Sequence, residues 1–448
     1  MISRRHFLAG SALASLYGMT SPAWAKSSVP WRNWSGGQIA YPAGRFSPAS
    51  EEALSDYLST SGGAIRPVGS GHSFTPLIPT DGHLVVIDQL TGLIDHSTES
   101  MSATFGAGTR LGDMGEPLER IGQAMFNLPD IDRQTLAGAT ATATHGTGIS
   151  FPCLSAYISA LRLITSEGKV LDLEEGDETF HAAQVSLGAL GIVTRMTIKN
   201  RPPYKLKAIN TVERIEDVLT RFDEAAASHR HFEMFPLTHS DYALVLAIDE
   251  TDEPINNPPP SPEEQAALGQ AMAMWSIIPP KARLPLVNGL AEQIQPSEVV
   301  DQSYKILSNI RNNRFNEMEY SVPLHAGADC LREILHTIID QEVDVVFPLE
   351  YRYVRRDETW LGMSSGDEDH AAISIHRTAS EDYRPYFDLI EPIFWKYGGR
   401  PHWGKIHALS ATELSKLYPR FSDFQNLRHQ LDPKGRLLND HLRRILGA

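Results

Sequence analysis

Three glycine-rich turns between residues 69 and 148 constrain the fold of this chain more than any other feature of its sequence. They are Gly69-Ser70-Gly71-His72, Gly106-Ala107-Gly108-Thr109 and the small-residue run from Gly138 to Gly148. Glycine lets the backbone take a positive φ and approach a ligand closely. Exposed amides in such turns cradle the phosphates of a nucleotide, and the hydroxyls of Thr140, Thr142 and Thr144 are suitable donors beside them.

The turns do not match the common nucleotide-binding motifs. A dinucleotide fingerprint needs a third glycine, and Phe74 stands at that place after Gly69 and Gly71. No Gly-Lys-Ser/Thr sequence occurs in the turns, so a Walker loop is excluded. We therefore expect a nucleotide-type cofactor held by another fold. His72, at the tip of the first turn, is either a ligand, a base, a covalent attachment point or a loop histidine bonded to nearby backbone.

The first 25 residues read as a twin-arginine signal peptide (residues 1–25). Arg4-Arg5 precedes a short apolar run, and Ala23-Trp24-Ala25 is a small-x-small cleavage site. This pattern predicts export to the periplasm by the twin-arginine machinery. That route carries proteins that fold before crossing, commonly because they carry a cofactor.

Periodicity predicts a mixed chain of helices and strands in several parts. Apolar runs predict strands at 84–88, 160–164, 191–198, 243–248 and 343–346, and amphipathic patterns predict helices at 51–59, 111–121, 215–228 and 329–340. The predicted parts are a cofactor domain (26–205), a second domain (206–397) and a C-terminal segment (398–448). A proline-rich stretch at 254–262 reads as a surface insertion.

Charge and cysteine content exclude several classes of protein. The formal net charge is −15, which argues against nucleic acid or an anionic membrane surface as the main partner. The two cysteines, Cys153 and Cys330, are too few for a disulfide framework or a thiolate metal site. We expect them to be buried thiols.

The turn motifs, taken together, resemble a known flavoprotein superfamily. RPVGSGHSF (66–74), GAGTRLGDM (106–114), LAGATATATHGTG (136–148) and SLGALGIVTRMTI (186–198) resemble the FAD-binding domain of the vanillyl-alcohol oxidase superfamily. Later motifs resemble its sugar-lactone and alditol oxidase branch: EMEYSVP (317–323), LEYRYV (349–354), SIHRT (374–378), RPHWGK (400–405) and LDPKGRLLND (431–440).

The resemblance implies an α+β fold. Its parts are a two-subdomain FAD-binding domain of the vanillyl-alcohol oxidase/PCMH type and an α+β substrate (cap) domain with a mostly antiparallel sheet. The C-terminal segment returns to the flavin site. The resemblance also implies FAD, covalently attached through His72. The implied cofactor-binding residues are Gly69, Ser70, Gly71, His72, Ser73, Gly108, Thr140, Thr144, His145, Gly146, Gly148, Gly191 and Ile192.

Four residues of the C-terminal half are candidates for catalysis. Glu350 and Arg352 lie two apart in a strand-like run, so alternation puts them on one face. From the residues alone they are equally a surface ion pair. Lys405 is either a partly desolvated catalytic group or an exposed lysine after a turn. The resemblance favours catalytic roles for all three, and contact of His376 with substrate hydroxyls. A metal site of His376, His402 and His407 lacks a thiolate or carboxylate at ligand spacing, so we predict no metal.

The predicted function is FAD-dependent oxidation of a carbinol in a sugar lactone or polyol. The hydride goes to the flavin and O2 reoxidises it to give H2O2. The alternative is a dehydrogenase that passes electrons to a quinone or cytochrome. In the branch that the chain resembles, one small residue near the flavin often controls oxygen access, and Ala143 and Thr144 lie in the corresponding loop. A non-catalytic exported sugar-binding protein would not explain three cofactor turns together with Glu350, Arg352 and Lys405. The residues leave open which lactone or polyol is used and whether the chain oligomerises.

Overall fold

The structure is a computed structural model that describes residues 29–258, 273, 275–309 and 313–448. The predicted signal peptide and residues 259–262 of the predicted insertion lie outside the described residues.

A short hairpin and a small parallel sheet open the described chain. The hairpin pairs β1 (Trp31–Arg32) with β2 (Ile39–Ala40). The parallel sheet contains β3 (Gly44–Phe46), β4 (Ile65–Val68) and β5 (His83–Val86) in the order β3-β5-β4. Helix Glu51–Thr60 lies between β3 and β4 in sequence; it begins at the Ser50 cap, which accepts a hydrogen bond from the Ala53 amide. The turn that carries His72 follows β4 directly.

A five-stranded antiparallel sheet forms the second part. Its strands are β6 (Leu93–Ser97), β7 (Ser102–Gly106), β8 (Ile158–Ile164), β9 (Val170–Glu174) and β10 (Ile192–Lys199), in the order β6-β7-β10-β8-β9. Helix Leu136–Ala141 is capped by the Thr135 side chain, which accepts a hydrogen bond from the Gly138 amide. The second and third glycine-rich turns and Gly191 lie at the ends of these elements.

An eight-stranded sheet, antiparallel at every pairing, forms the third part. Its strands are β11 (Lys205–Arg214), β12 (His231–Pro236), β13 (Tyr242–Glu250), β14 (Ser297–Gln302), β15 (Phe315–Pro323), β16 (Glu350–Val354), β17 (His370–Thr378) and β18 (Arg400–Pro401). The spatial order is β14-β11-β13-β12-β16-β17-β15-β18. This sheet confirms the predicted antiparallel architecture. The domain boundaries after residues 205 and 397 stay predictions.

The remaining helices cover these sheets. They are Gly115–Arg120, Glu178–Ala183, Ile215–Ser228, Pro280–Ala291, Ser303–Ile306, Gly327–Asp340, Arg384–Lys396, Ala411–Leu417, Phe421–Leu431 and Asp440–Leu446, with short 3₁₀ turns at Leu111–Asp113, Leu154–Tyr157 and Leu324–Ala326. Among the described residues, none of the helices has both the length and the apolar character needed to cross a bilayer.

Two of the predicted elements need correction. The predicted helix at 111–121 is split into a 3₁₀ turn and a short α-helix. The predicted strand at 343–346 is wrong: the segment has no strand partner, and the Val345 carbonyl instead accepts hydrogen bonds from Thr238 Oγ1 and Arg283. Its apolar pattern arises because Val345 is buried in the core. The prediction of buried thiols is confirmed, since Cys153 and Cys330 are both buried and unpaired.

Candidate active site

A cavity opens beside the first glycine-rich turn. Three stretches form most of its lining: residues 66–73, residues within 134–142, and residues within 186–193. The first and third of these stretches belong to separate sheets. The cavity therefore lies where the parallel sheet and the five-stranded sheet meet.

Glycines in this lining allow the walls to approach more closely than side chains permit. A Cβ on Gly69 would lie 2.2 Å from Thr135 Oγ1, and one on Gly191 would lie 2.4 Å from Leu163 Cδ2. The Ser70 hydroxyl oxygen is buried in the same lining and has no hydrogen-bond partner within the described part of the chain. Unpartnered buried donors of this kind suit the polar atoms of a bound ligand. The residues present therefore fit FAD.

The structure brings most of the predicted cofactor residues to two neighbouring cavities. Those lining the first cavity are Gly69, Ser70, Gly71, His72, Ser73, Gly191 and Ile192, and those lining the second, described below, are His72, Ser73, Thr144 and His145. Their roles toward FAD remain predictions, because the structure holds no ligand contact for them.

Four predicted cofactor residues lie elsewhere. Thr140 turns its hydroxyl back to the Leu136 carbonyl, at 2.9 Å, and is fully buried. Gly146 makes room for Asn127 and Leu128, and Gly148 for Phe151 and the Arg230 carbonyl. Gly108 packs against the Ile87 carbonyl and lines a neighbouring hollow, whose lining also includes Gly69 and Ser70 of the first cavity. None of the four lines the first or the second cavity, and their predicted contact with FAD stays a prediction.

His72 stands where the two cavities meet, since its side chain lines both. Its imidazole stacks on the Trp34 ring with centroids 5.3 Å apart. Burial, together with the positive charges of Lys405, Arg110 and Arg133, lowers the pKa of His72 to about 4. The imidazole is therefore neutral at neutral pH.

Side chains from strands β15, β16 and β17 line one side of the second cavity, and the strand register brings them together. Glu317 on β15 lies opposite His376 on β17, and Glu319 lies opposite Ser374. Ser374 in turn lies opposite Glu350 on β16. Directly opposed residues in an antiparallel sheet point to one face, and so do residues two apart on a strand. The polar side chains therefore converge on a single surface.

Glu350 and Arg352 form a buried pair rather than the alternative surface ion pair. The Arg352 guanidinium lies 2.9 Å from Glu350 Oε1 and 3.3 Å from Glu319 Oε2. Burial raises the pKa of Glu350, and the positive charge of Arg352 opposes that shift. Both side chains line the second cavity together with His72.

Lys405 and His376 reach the same cavity. The Lys405 ammonium contacts the Glu317 carboxylate and lies 4.0 Å from Glu319 Oε2. His376 Nε2 lies 3.6 Å from Glu317 Oε1. Burial acts to raise the pKa of Glu317, but Lys405 and His376 together outweigh it and lower the value to about 2. All four predicted catalytic residues thus line one cavity.

The loop that ends in Lys405 is joined directly to the His72 turn. The Phe74 amide donates a hydrogen bond to the Gly404 carbonyl at 2.7 Å, and Thr75 Oγ1 donates to the Trp403 carbonyl at 3.0 Å. The C-terminal segment therefore packs against the turn that carries His72, and its return to a flavin site stays a prediction.

Glu317 and Glu319 are site residues that were not predicted. Glu319 accepts hydrogen bonds from Ser374 Oγ at 2.8 Å and from His145 Nε2 at 2.7 Å. Burial acts to raise the pKa of Glu319, but His145 and Arg352 outweigh it and hold the value well below the ordinary range. The sequence did carry a signal: the two glutamates of EMEYSVP have the same two-residue spacing as Glu350 and Arg352.

The possible metal ligands in the cavity differ from the histidine set that was considered and rejected above. Glu317, Glu350 and His376 place one ligand atom each within 4.8 Å of one another. His402 lines the same cavity, whereas His407 lines a different hollow. The carboxylates of this group already contact Lys405 and Arg352, which supply positive charge to it.

Comparison with known proteins agrees with this geometry. The family model for D-arabinono-1,4-lactone oxidase matches residues 196–445, and the model for an FAD binding domain matches residues 42–174. An L-gulono-1,4-lactone dehydrogenase from Mycobacterium tuberculosis is 36% identical over 93% of this chain and 99% of the relative. An alditol oxidase from a Streptomyces species is 28% identical over 92% of this chain and 98% of the relative.

A solved structure shares the fold. Cholesterol oxidase from Brevibacterium sterolicum, as its His121Ala mutant, superposes with a TM-score of 0.76 at 15% identity, covering 96% of this chain and 99% of that one. This likeness shows the fold alone. The family model and the 36% identical relative together show that the chain belongs to the D-arabinono-1,4-lactone oxidase family of FAD-dependent oxidoreductases that act on CH–OH groups.

Proposed function

We propose that this protein oxidises a carbinol of a neutral sugar lactone or polyol, using FAD attached covalently to His72. One observation carries the proposal: Glu350, Arg352, Lys405 and His376 line a single cavity that His72 shares with the cavity suited to FAD. Bound FAD supplies the acceptor for the hydride that leaves the carbinol carbon.

The protein's residues have separate tasks in this reaction. Arg352 and Lys405 place two positive charges beside the substrate oxygen and stabilise negative charge that develops there. The Glu350 carboxylate accepts a hydrogen bond from a substrate hydroxyl and orients it. His376 accepts the proton of the reacting hydroxyl, and Glu317, 3.6 Å away, stabilises the imidazolium that forms.

The charges in the cavity support a neutral substrate. Glu317, Glu319 and Glu350 are three buried carboxylates, against the two permanent cations Arg352 and Lys405. A negatively charged sugar acid would meet this excess of carboxylates, and like charges held close together in a buried site repel strongly. Lactones and polyols carry no charge and many hydroxyls.

A substrate screen tests the proposed reaction. The purified protein is assayed with sugar lactones and polyols by following flavin reduction under anaerobic conditions. We expect rapid bleaching of the flavin with at least one neutral compound and none with the matching sugar acid. A colourless protein, or a flavin that no lactone or polyol reduces, would overturn the proposal and favour a non-catalytic sugar-binding protein.

Covalent attachment of FAD has its own test. Support comes from the neutral His72 imidazole at the junction of the two cavities. After precipitation with acid, flavin should stay with the protein of the natural sequence and should be released from His72→Ala. Release of flavin from the unaltered protein would contradict the covalent link, but it would not contradict the proposed oxidation of a carbinol.

Two electron acceptors are supported by different observations. O2 is favoured by the oxidase names of the family model and of the alditol oxidase relative. A quinone or cytochrome is favoured because the 36% identical relative is named a dehydrogenase. The yield of H2O2 per substrate oxidised in air separates them: a yield near one supports O2, and a yield near zero with rapid reduction of a quinone analogue supports the alternative.

The proposed location is the periplasm. The twin-arginine pattern at Arg4-Arg5 supports it. Replacing both arginines with lysine should retain the protein in the cytoplasm of a bacterial host, whereas the unaltered chain should fractionate with the periplasm. Equal distribution of the two chains would contradict export by this route.

A further inference from the structure

We propose that Trp34 is a positioning residue that orients the His72 imidazole for attachment to FAD. The inference rests on the proposed covalent link and goes beyond it by naming the group that sets the geometry of the attachment.

The His72 ring lacks the usual means of orientation. Within the described part of the chain, neither imidazole nitrogen takes part in a hydrogen bond. A ring without such bonds rotates unless packing holds it, because the terminal torsion of histidine is broad. The packing here is the indole of Trp34, which is tilted only 23° from the imidazole plane at a centroid distance of 5.3 Å. This is an offset stacked geometry.

Trp34 is itself fixed on several sides. Its backbone amide donates a hydrogen bond to the Gly71 carbonyl at 2.7 Å. Its ring meets Phe315 edge-on at 5.2 Å and Phe74 edge-on at 6.3 Å. These contacts hold the Trp34 indole in one orientation. The His72 imidazole that stacks on the indole is held in a matching orientation.

The hairpin that carries Trp34 also holds the backbone of the His72 turn. Asn33 Nδ2 donates to the Ser73 carbonyl at 3.0 Å, and Gln38 Nε2 donates to the Phe74 carbonyl at 3.0 Å. Together with the Trp34 amide, these bonds fix the turn on both sides of His72. The residues from Asn33 to Gln38 thus control both the backbone and the ring of the attachment residue.

A stacked ring leaves the edges of the imidazole accessible, and the edges carry the nitrogens. Attachment joins one of these nitrogens to the 8α carbon of FAD: one N–H bond and one C–H bond break, and one C–N bond forms. The two hydrogens and two electrons reside on the flavin, which is thereby reduced, and an electron acceptor such as O2 then removes them. Because the stacking covers a face and not an edge, Trp34 orients the nucleophile without blocking it.

The experiment measures the rate of attachment directly. Full-length apoprotein from a riboflavin-limited host is mixed with FAD in air, and samples are precipitated with acid at intervals to follow the flavin that stays with the protein. The variants are Trp34→Phe, which keeps a stacking ring, and Trp34→Leu, which keeps bulk without a ring. The control is Phe347→Ala, which removes a ring that contacts Phe315 and His376 but not His72.

We expect Trp34→Leu to attach FAD about three- to tenfold more slowly than the unaltered protein, in line with the strength of ring stacking. Trp34→Phe and Phe347→Ala should attach at nearly the unaltered rate. Equal rates for the Phe and Leu variants would overturn the inference, even if both are less stable. If the unaltered protein retains no acid-stable flavin, or His72→Ala still does, the proposed covalent link fails instead, and the two failures are distinguished.

Discussion

The Glu319 carboxylate and the His145 imidazole lie 2.7 Å apart in the interior, although 174 residues separate them in sequence. The pair joins the third glycine-rich turn to β15 of the eight-stranded sheet. Glu319 also contacts Arg352 and Ser374, so one carboxylate joins strands β16 and β17, which line the second cavity, to the third glycine-rich turn.

Replacing Glu319 with glutamine should lower kcat/KM for the lactone or polyol by about 10- to 100-fold. Hydrogen bonds to charged groups contribute about 1.5–3 kcal/mol each, and the amide cannot hold both Arg352 and His145 in the same way. Steady-state kinetics measure the change. Glu381→Gln, which alters an exposed ion pair with Arg377, serves as the control. A kcat/KM within twofold of the unaltered enzyme for Glu319→Gln would contradict a role in positioning.

Gly69→Ala should weaken FAD binding severely. The new Cβ would lie 2.2 Å from Thr135 Oγ1, which caps helix Leu136–Ala141, so that the cap or the turn must move. We expect the purified variant to hold less than about a tenth of the flavin of the unaltered protein, because the overpacked turn cannot keep its shape. Absorbance spectra measure it. Gly62→Ala, where the added Cβ meets nothing within 4 Å, should bind FAD normally.

Arg66→Met should destabilise the fold. This guanidinium is buried and donates to the carbonyls of Leu77, Leu187, Gly188 and Leu437, so that its loss leaves buried acceptors unpaired. Such losses cost about 3–5 kcal/mol in total.

We expect the Arg66→Met change to lower the Tm by about 5 °C or more, measured by differential scanning calorimetry. Arg384→Met, at an exposed position, should leave the Tm nearly unchanged. A Tm shift of the same size in both variants would show that the buried hydrogen bonds of Arg66 contribute no more to stability than the exposed contacts of Arg384.

Buried histidines should make the protein sensitive to moderate acid. Burial lowers the pKa of His231 to about 4 and the pKa values of His402, His407 and His441 to about 3. The unfolded chain binds protons on these rings near pH 6.5, whereas the folded chain does not. Unfolding therefore takes up protons, and stability falls as the pH drops from about 6.5 toward 4.

Thermal unfolding at a series of pH values measures this effect. The Tm should decline steadily between about pH 6.5 and pH 4, and His407→Asn should flatten the decline because one buried titrating ring is gone. A Tm that stays constant over this interval would mean that these rings are protonated within the fold.

Much of the site could be predicted because it follows local rules. The alternation of a strand is enough to place Glu350 and Arg352 on one face, and the glycines around His72 indicate a tight approach. Thr140 and Gly146 could not be separated from true cavity residues, because small residues look alike whether they make room for a ligand or for protein. The roles of Trp34 and Glu319 depend on contacts between segments that are distant in sequence. Local sequence patterns do not indicate such contacts.

The hydrogen bonds from Phe74 to Gly404 and from Thr75 to Trp403 have a consequence for biosynthesis. The turn that carries His72 is made early, but its partners are translated some 330 residues later. A chain still attached to the ribosome cannot complete the second cavity, which Gly404 and Lys405 help to line, until those partners emerge from the exit tunnel. The second cavity, where we propose that the substrate binds, is therefore completed only when nearly the whole chain has been synthesised.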